Sequence, residues 1–165
     1  TTCHDTNAPT KIFDEVEFPL PTKEELQLAG WPKRRDRLPR AILALSLTKM
    51  AFDFADGSAI TRENISAREY HHLFPDAWLK EKGTPSKQIY IALNCALVTW
   101  KTNRNMAAKA PSVYLEDRMH VGEQEIERRL SSHFINLEDM TSDNYDLFID
   151  SRSEMLLKEV TDICN

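Results

Sequence analysis

The sequence predicts an α+β fold, with a small β element set inside a mostly helical domain. Three observations predict it. Ser66 to Phe74 and Ala96 to Trp100 read as extended segments, the first mixing polar and aromatic residues, the second apolar and branched. Helical periodicity flanks them, over Leu38 to Phe54 before and Glu123 to Leu137 after. The chain has 165 residues, 41% hydrophobic and 28% charged, a composition that fits one globular domain with a core of its own.

Taken in order, residues 1 to 40 are irregular, because Pro9, Pro19, Pro21, Pro32 and Pro39 interrupt any long helix. Thr22 followed by Glu25 forms a capping box that opens a short helix through about Ala29. Leu38 to Phe54 is helical, with Leu38, Ile42, Leu45, Met50 and Phe52 on an apolar face; it is apolar nearly all round, as a buried helix is. Asp56-Gly57 marks a turn. The first extended segment ends at Pro75. Asp76 to Lys82 then reads as one short helix closed by Gly83, and Thr84 to Leu93 leads into the second extended segment. Asn103 to Lys109 has helical composition, stopped by Pro111. Glu123 to Leu137 places Ile126, Leu130, Phe134 and Leu137 on one face, and a last helix spans about Ser151 to Ile163. The middle of the chain therefore runs strand, long loop, strand, helix. The two strands can pair as an antiparallel ribbon if the loop between them is held, since long loops without a function are uncommon.

Several classes are excluded or disfavoured. No apolar run approaches the roughly 20 residues a bilayer-spanning helix needs; Ala41 to Phe52 is interrupted by Lys49. Thr1 to Pro9 is polar and has no signal-peptide character, so a cytoplasmic location is expected. The chain does not begin with Met, which leads us to expect a fragment of a longer polypeptide. Cys3, Cys95 and Cys164 are odd in number and lack Cys-x-x-Cys spacing, which argues for reduced thiols rather than disulfides or a thiolate metal site. Net charge is −5, but it is unevenly spread. Lys80 to Lys109 holds six basic residues against one acidic, whereas Glu116 onward holds five basic against thirteen acidic. Lys33, Arg34, Arg35, Arg37 and Arg40 form a second basic cluster. Phosphate binding needs a local positive surface rather than a basic protein.

The densest chemistry lies in Glu69-Tyr70-His71-His72-Leu73-Phe74-Pro75. Neighbouring histidines on a strand point to opposite faces. At a strand end they can still serve one site, one binding a metal and the other acting as a base near neutral pH. Asn94 lies 22 positions after His72, at the head of the second strand, where asparagine needs a turn or a hydrogen-bonding reason. Asn103 follows nine positions later with Arg104 beside it; alone it reads as an N-cap. His4, His120 and His133 lie outside this pattern, and His133, near an apolar helix face, reads as structural. Trp31, Trp78 and Trp100 read as packing residues rather than base-stacking platforms.

The spacing of His71-His72-x-x-Pro75, Asn94 and Asn103-Arg104 resembles the HNH (ββα-metal) nuclease motif in its His-Asn-Asn form. It is most similar to the nuclease domain at the C-terminus of GmrSD-type, modification-dependent restriction enzymes. The resembling pieces are Tyr70 to Pro75, Ala92 to Val98, Thr102-Asn103-Arg104, Lys109 to Leu115 and Ser132 to Ile135, in that order. The resemblance implies a ββα-metal element embedded among helices. It makes residues 1–60 the end of a linker from an upstream domain and 61–165 the nuclease domain with C-terminal helices. It implies that His72 is the general base, that Asn94 orients the His72 imidazole, and that His71 and Asn103 bind one divalent metal. Arg104 and Lys109 are then candidates for contacts to DNA phosphates. The partners implied are DNA and an upstream nucleotide-dependent sensor domain of the same polypeptide; a homo-oligomer is a further option, since two cuts usually require a second site or a dimer.

The first metal position in such sites is often Asp or Glu, whereas here it is His71. Magnesium is the expected ion by resemblance, but a neutral His-Asn pair suits manganese, nickel or zinc better than a hard cation. The function implied is metal-dependent hydrolysis of DNA in prokaryotic defence against foreign or modified DNA. The alternative is a nucleic-acid-binding or protein-interaction domain with a degenerate site.

Overall fold

The computed structural model describes residues 16–17, 19–33, 35–99, 101–102 and 108–164. The fold is α+β and mostly helical, around one two-stranded antiparallel sheet. Strand β1 (Glu69–His72) pairs with β2 (Cys95–Val98) in the register Glu69↔Val98, Tyr70↔Leu97, His71↔Ala96 and His72↔Cys95. One further bond, Leu73 N–H to the Asn94 carbonyl at 3.0 Å, carries the ladder past the strand end. Opposed residues share a face of the ribbon. Tyr70 and His72 therefore lie on one side with Leu97 and Cys95, and Glu69 and His71 on the other with Ala96 and Val98.

All four β2 residues are buried, which explains the lack of polar alternation in Cys-Ala-Leu-Val. Ala96 and Val98 enter the main core with Phe54, Leu73, Phe74 and Tyr114. Leu97 packs on the other side with Ala51 and Ile60. Each large apolar side chain fully buried here contributes roughly 2 kcal/mol. The Tyr114 hydroxyl, also buried, donates to the Leu73 carbonyl at 2.7 Å and ties the core to the end of β1.

Helix α1 (Lys23–Leu28) starts at the expected capping box: Thr22 Oγ1 accepts from the Glu25 amide, and Glu25 accepts from the Thr22 amide. Helix α2 (Arg37–Thr48) stops six residues short of the expected Phe54. The Ala51 amide bonds back to the Ser46 carbonyl and the Met50 amide to that of Leu47, a Schellman closure with Met50 at φ 52°. Beyond it, Phe52 bridges to Ala59 around the turn at Gly57 (φ 74°). Residues 23–48, expected as part of a linker's end, contribute Leu26, Ala29 and Ile42 to a cluster with Leu93, Phe134 and Leu156. Lys23 also pairs with Asp150 and Glu154 of the last helix.

Between the strands lie α3 (Asp76–Glu81), closed by Gly83 (φ 80°) as expected, and α4 (Ser86–Ile89). A 3-10 turn, Ala92–Asn94, feeds β2. Lys101 and Thr102 are helical after β2; of the helix expected over Asn103 to Lys109, residues 103–107 lie outside the described residues, and Ala108 and Lys109 are not helical. Pro111 opens a helix, α5 (Pro111–Glu116), since proline at the first helical position forfeits no hydrogen bond. The expected helix 123–137 is two: α6 (Glu123–Ser131) and α7 (Leu137–Thr141), divided by Phe134 at φ 57°. The last helix, α8 (Tyr145–Cys164), starts six residues earlier than the periodicity indicated. Among the described residues, no helix is long and apolar enough to cross a membrane.

Candidate functional site

His71 and His72 end β1, where the ribbon meets the 3-10 turn carrying Asn94. The structure thus brings His71, His72 and Asn94 to one end of the sheet. Asn103 and Arg104 lie outside the described residues. Lys109 is exposed and paired with Asp117 at 2.6 Å, so its charge is already matched by a carboxylate. Lys80 is likewise paired with Asp76, and the Lys82 ammonium sits 4.1 Å from the Trp78 ring centroid. Much of the local positive charge counted along Lys80 to Lys109 is therefore engaged within the fold.

Asn94 is 0% exposed and uses its whole amide on backbone. Its Oδ1 accepts from the Phe74 amide at 2.8 Å, and its Nδ2 donates to the carbonyls of Phe74 at 3.0 Å and Ile89 at 3.1 Å. None of these bonds goes to the His72 imidazole, which Asn94 was expected to orient. Asn94 instead fixes the loop that leaves β1 just after His72, and so acts on the histidines through the main chain. Arg152 reinforces the same junction. Its buried guanidinium donates to the carbonyls of Leu93, Cys95 and His133, on either side of Asn94 and across to the turn after α6.

The His72 imidazole is held by aromatic rings. Trp31 stacks on it at 4.2 Å between centroids with 30° between planes, and Tyr90 meets it edge-on at 4.9 Å and 83°. Backbone pairing places Trp31 there: Gly30 bridges to Ile91, and the Ala92 amide donates to the Ala29 carbonyl at 2.8 Å. Pro32 adds to this by favouring an extended Trp31. The Tyr90 hydroxyl donates to Asp76 in a short hydrogen bond, and Lys80 donates to the same carboxylate at 2.7 Å. Those two bonds hold the Asp76 carboxyl below its usual range. A groove of about 1000 Å³ adjoins the rings. Lys33 and Lys87 on its walls are balanced by Asp146 and Asp150, so it is not a track of one sign.

Both histidines are neutral at physiological pH. Burial is the main reason His71 titrates at about 4; the nearby His72 charge adds to it and Glu69 opposes it. Burial also lowers His72, against the pull of Asp76 and with the help of Lys80. Neutral imidazole is the form that binds a metal or accepts a proton. Among the described residues, neither Nε2 atom has a hydrogen-bond partner, and both are buried. A buried polar atom left so costs about 1–3 kcal/mol, and such atoms in a native fold call for an explanation.

His71 therefore fits one position of a cation site: a neutral, half-buried imidazole whose buried Nε2 has no partner among the described residues. Among the described residues, no group of three or more His, Cys, Asp or Glu side chains could hold a metal. A site built on His71 would need neutral oxygen donors, the role expected of Asn103.

Sequence reasoning missed Trp31, Tyr90 and Asp76 as parts of this constellation. Trp31 lies 41 positions from His72 and carries no local motif. It also missed Asp53, which is buried and accepts from the Thr99 amide at 2.6 Å and the Thr102 hydroxyl at 2.8 Å, tying the 53–57 turn to the exit of β2. His133 is structural, as expected: its Nε2 lies 2.7 Å from the Phe52 carbonyl oxygen. Cys95 and Cys164 are free thiols, and burial pushes Cys95 up to about 12, so it is inert as a nucleophile.

Comparison with known proteins adds little. No family model and no solved structure matches the chain. An uncharacterised protein of Methanocaldococcus jannaschii is 24% identical over 119 aligned residues, a match covering 58% of this chain and 20% of that protein. The chain thus spans about a fifth of the length of that relative.

Proposed function

We propose that this chain is a metal-dependent DNA endonuclease domain of the HNH type, acting in the cytoplasm of a prokaryote against foreign or modified DNA. The observation that carries the reading is the pair of neutral imidazoles at the end of β1, each with a buried Nε2 free of hydrogen bonds among the described residues. In this reading His72 accepts a proton from the attacking water. The water oxygen forms a bond to phosphorus as the bond to the leaving oxygen breaks. Asn94 keeps the loop after β1 in place, and His71 with Asn103 would hold the cation. A divalent ion, when bound, supplies polarisation of the phosphate and stabilises the departing oxygen. Arg104 and Lys109 would contact flanking phosphates, Lys109 exchanging its bond to Asp117 for one to DNA. An upstream sensor domain of the same polypeptide, or a second copy of the chain, would supply target choice and the second cut.

The test is incubation of supercoiled plasmid with the protein and magnesium, manganese or nickel, with and without chelator, alongside His72→Ala. Metal-dependent nicking that disappears in the variant supports the reading. Cleavage undiminished in chelator, or retained in His72→Ala, overturns it. The alternative reading is a degenerate nucleic-acid-binding module. DNA binding without cleavage under any of the three metals would establish that alternative.

A further inference from the structure

The catalytic reading leaves open what orients the His72 imidazole, since the amide of Asn94 is spent on Phe74 and Ile89. The structure assigns that task to Trp31 and Tyr90, which we propose are positioning residues that clamp His72 in a single rotamer, with Tyr90 itself anchored by Asp76. This deepens the nuclease reading and, for its catalytic part, rests on it.

Three observations carry the proposal. The ring of Trp31 covers one face of the imidazole, while Tyr90 closes on it at nearly a right angle; Trp31 and Tyr90 also touch each other, at 6.0 Å and 72°. Three mutually packed rings leave the imidazole little freedom about its side-chain torsions. The clamp is also anchored at both ends. The Gly30–Ile91 bridge fixes the backbone next to Trp31, and the hydroxyl of Tyr90 is bound to Asp76, which Lys80 holds in turn. Finally, contact through the ring face consumes neither imidazole nitrogen. A hydrogen-bonding orienter would occupy one of them, whereas stacking fixes the plane and leaves the in-plane lone pair for proton transfer. Orientation of this kind acts on turnover: a catalytic group displaced by about 1 Å can lose on the order of 100-fold in rate.

The test uses the full chain and four variants: Trp31→Ala, Trp31→Phe, Tyr90→Ala and Tyr90→Phe. Two readouts are taken at pH 7.5. One is the proton chemical shifts of the His72 ring, which stacking under Trp31 displaces upfield. The other is plasmid nicking, resolved into kcat and KM, with thermal melting to confirm that each variant is folded. We expect Trp31→Ala to lose the upfield displacement and to lower kcat about tenfold or more with KM little changed. Trp31→Phe, which keeps a stacking ring, should restore most of both. Tyr90→Phe should show a smaller loss than Tyr90→Ala, because it releases only the anchor to Asp76. An unchanged kcat in Trp31→Ala, with wild type active, overturns the clamp and leaves the nuclease reading intact. A rise in kcat also overturns it, making Trp31 a cover. Wild type that cuts no DNA, with ring shifts that respond as expected, overturns the nuclease reading and upholds the clamp.

Discussion

Asn94 and Phe74 are locked together by two hydrogen bonds, the Phe74 amide donating to Asn94 Oδ1 at 2.8 Å and Asn94 Nδ2 donating to the Phe74 carbonyl at 3.0 Å. The side chain thus replaces a strand partner at the point where β1 ends, and its second amide proton reaches Ile89. Removing it would leave three buried main-chain groups unsatisfied, at about 1–3 kcal/mol each. Asn94→Ala should therefore destabilise the fold by several kcal/mol, read as a lowered midpoint in denaturant. Asn94→Asp should do the same, because it keeps the acceptor but loses both donors. A midpoint within a few tenths of a molar of wild type for Asn94→Ala would mean the amide is dispensable.

The two adjacent histidines should fail in different ways. On the nuclease reading proposed above, His72→Ala removes the base and should lower turnover by about 100-fold or more, the usual span for general-base removal. Its DNA affinity should hold, since affinity comes from phosphate contacts. His71→Ala should also lose activity, but through the cation, so excess manganese should restore part of it. Nicking assays over a manganese titration separate the two. Rescue of His72→Ala with none for His71→Ala would reverse the assignment.

Exposed Met50 occupies the left-handed position (φ 52°) that closes α2. Glycine adopts this conformation without the side-chain penalty of roughly 1–2 kcal/mol. The side chain is 72% exposed and little packing is lost with it. Met50→Gly should stabilise the protein by about 1 kcal/mol, read as a higher melting temperature, and leave any nicking activity unchanged. Unchanged or lowered stability would show that the Met50 side chain contributes more than its exposure implies.

This position also shows what the sequence could and could not disclose. The Thr22–Glu25 capping box, the turn at Gly57 and the short helix that starts at Asp76 and is closed by Gly83 were legible, because each depends on residues within a few positions of one another. The ends of α2 and α6 were not. Both helices close in a left-handed residue that is usually glycine but is here Met50 or Phe134. The apolar pattern runs on past each stop, so periodicity overshoots. Of the site, the residue types in His71-His72 and Asn94 were readable and their contacts were not. A buried asparagine announces that it needs partners without saying which, and the ring over His72 comes from a distant loop.

The buried imidazole of His133 should make stability depend on pH in a defined window. It is 1% exposed, and burial pushes its pKa down to about 4, despite the bond to the Phe52 carbonyl and the nearby Asp53. In the unfolded chain it titrates near the ordinary 6.5. Between those values the unfolded state binds a proton that the folded state does not, so stability falls as pH falls. The contribution is whole above about 6.5, is lost progressively down to about 4, and amounts to a few kcal/mol at roughly 1.4 kcal/mol per pH unit. His71, also held at about 4, acts with the same sign, so wild type and variant must be compared. His133→Gln can still donate to Phe52 but has no proton to gain. Denaturant unfolding at pH 7.5, 6, 5 and 4.5 should show a shallower loss in the variant than in wild type. Parallel curves would mean that His133 takes up its proton as readily in the fold as in the unfolded chain, and the assignment of a neutral, donating imidazole with a lowered pKa would fall.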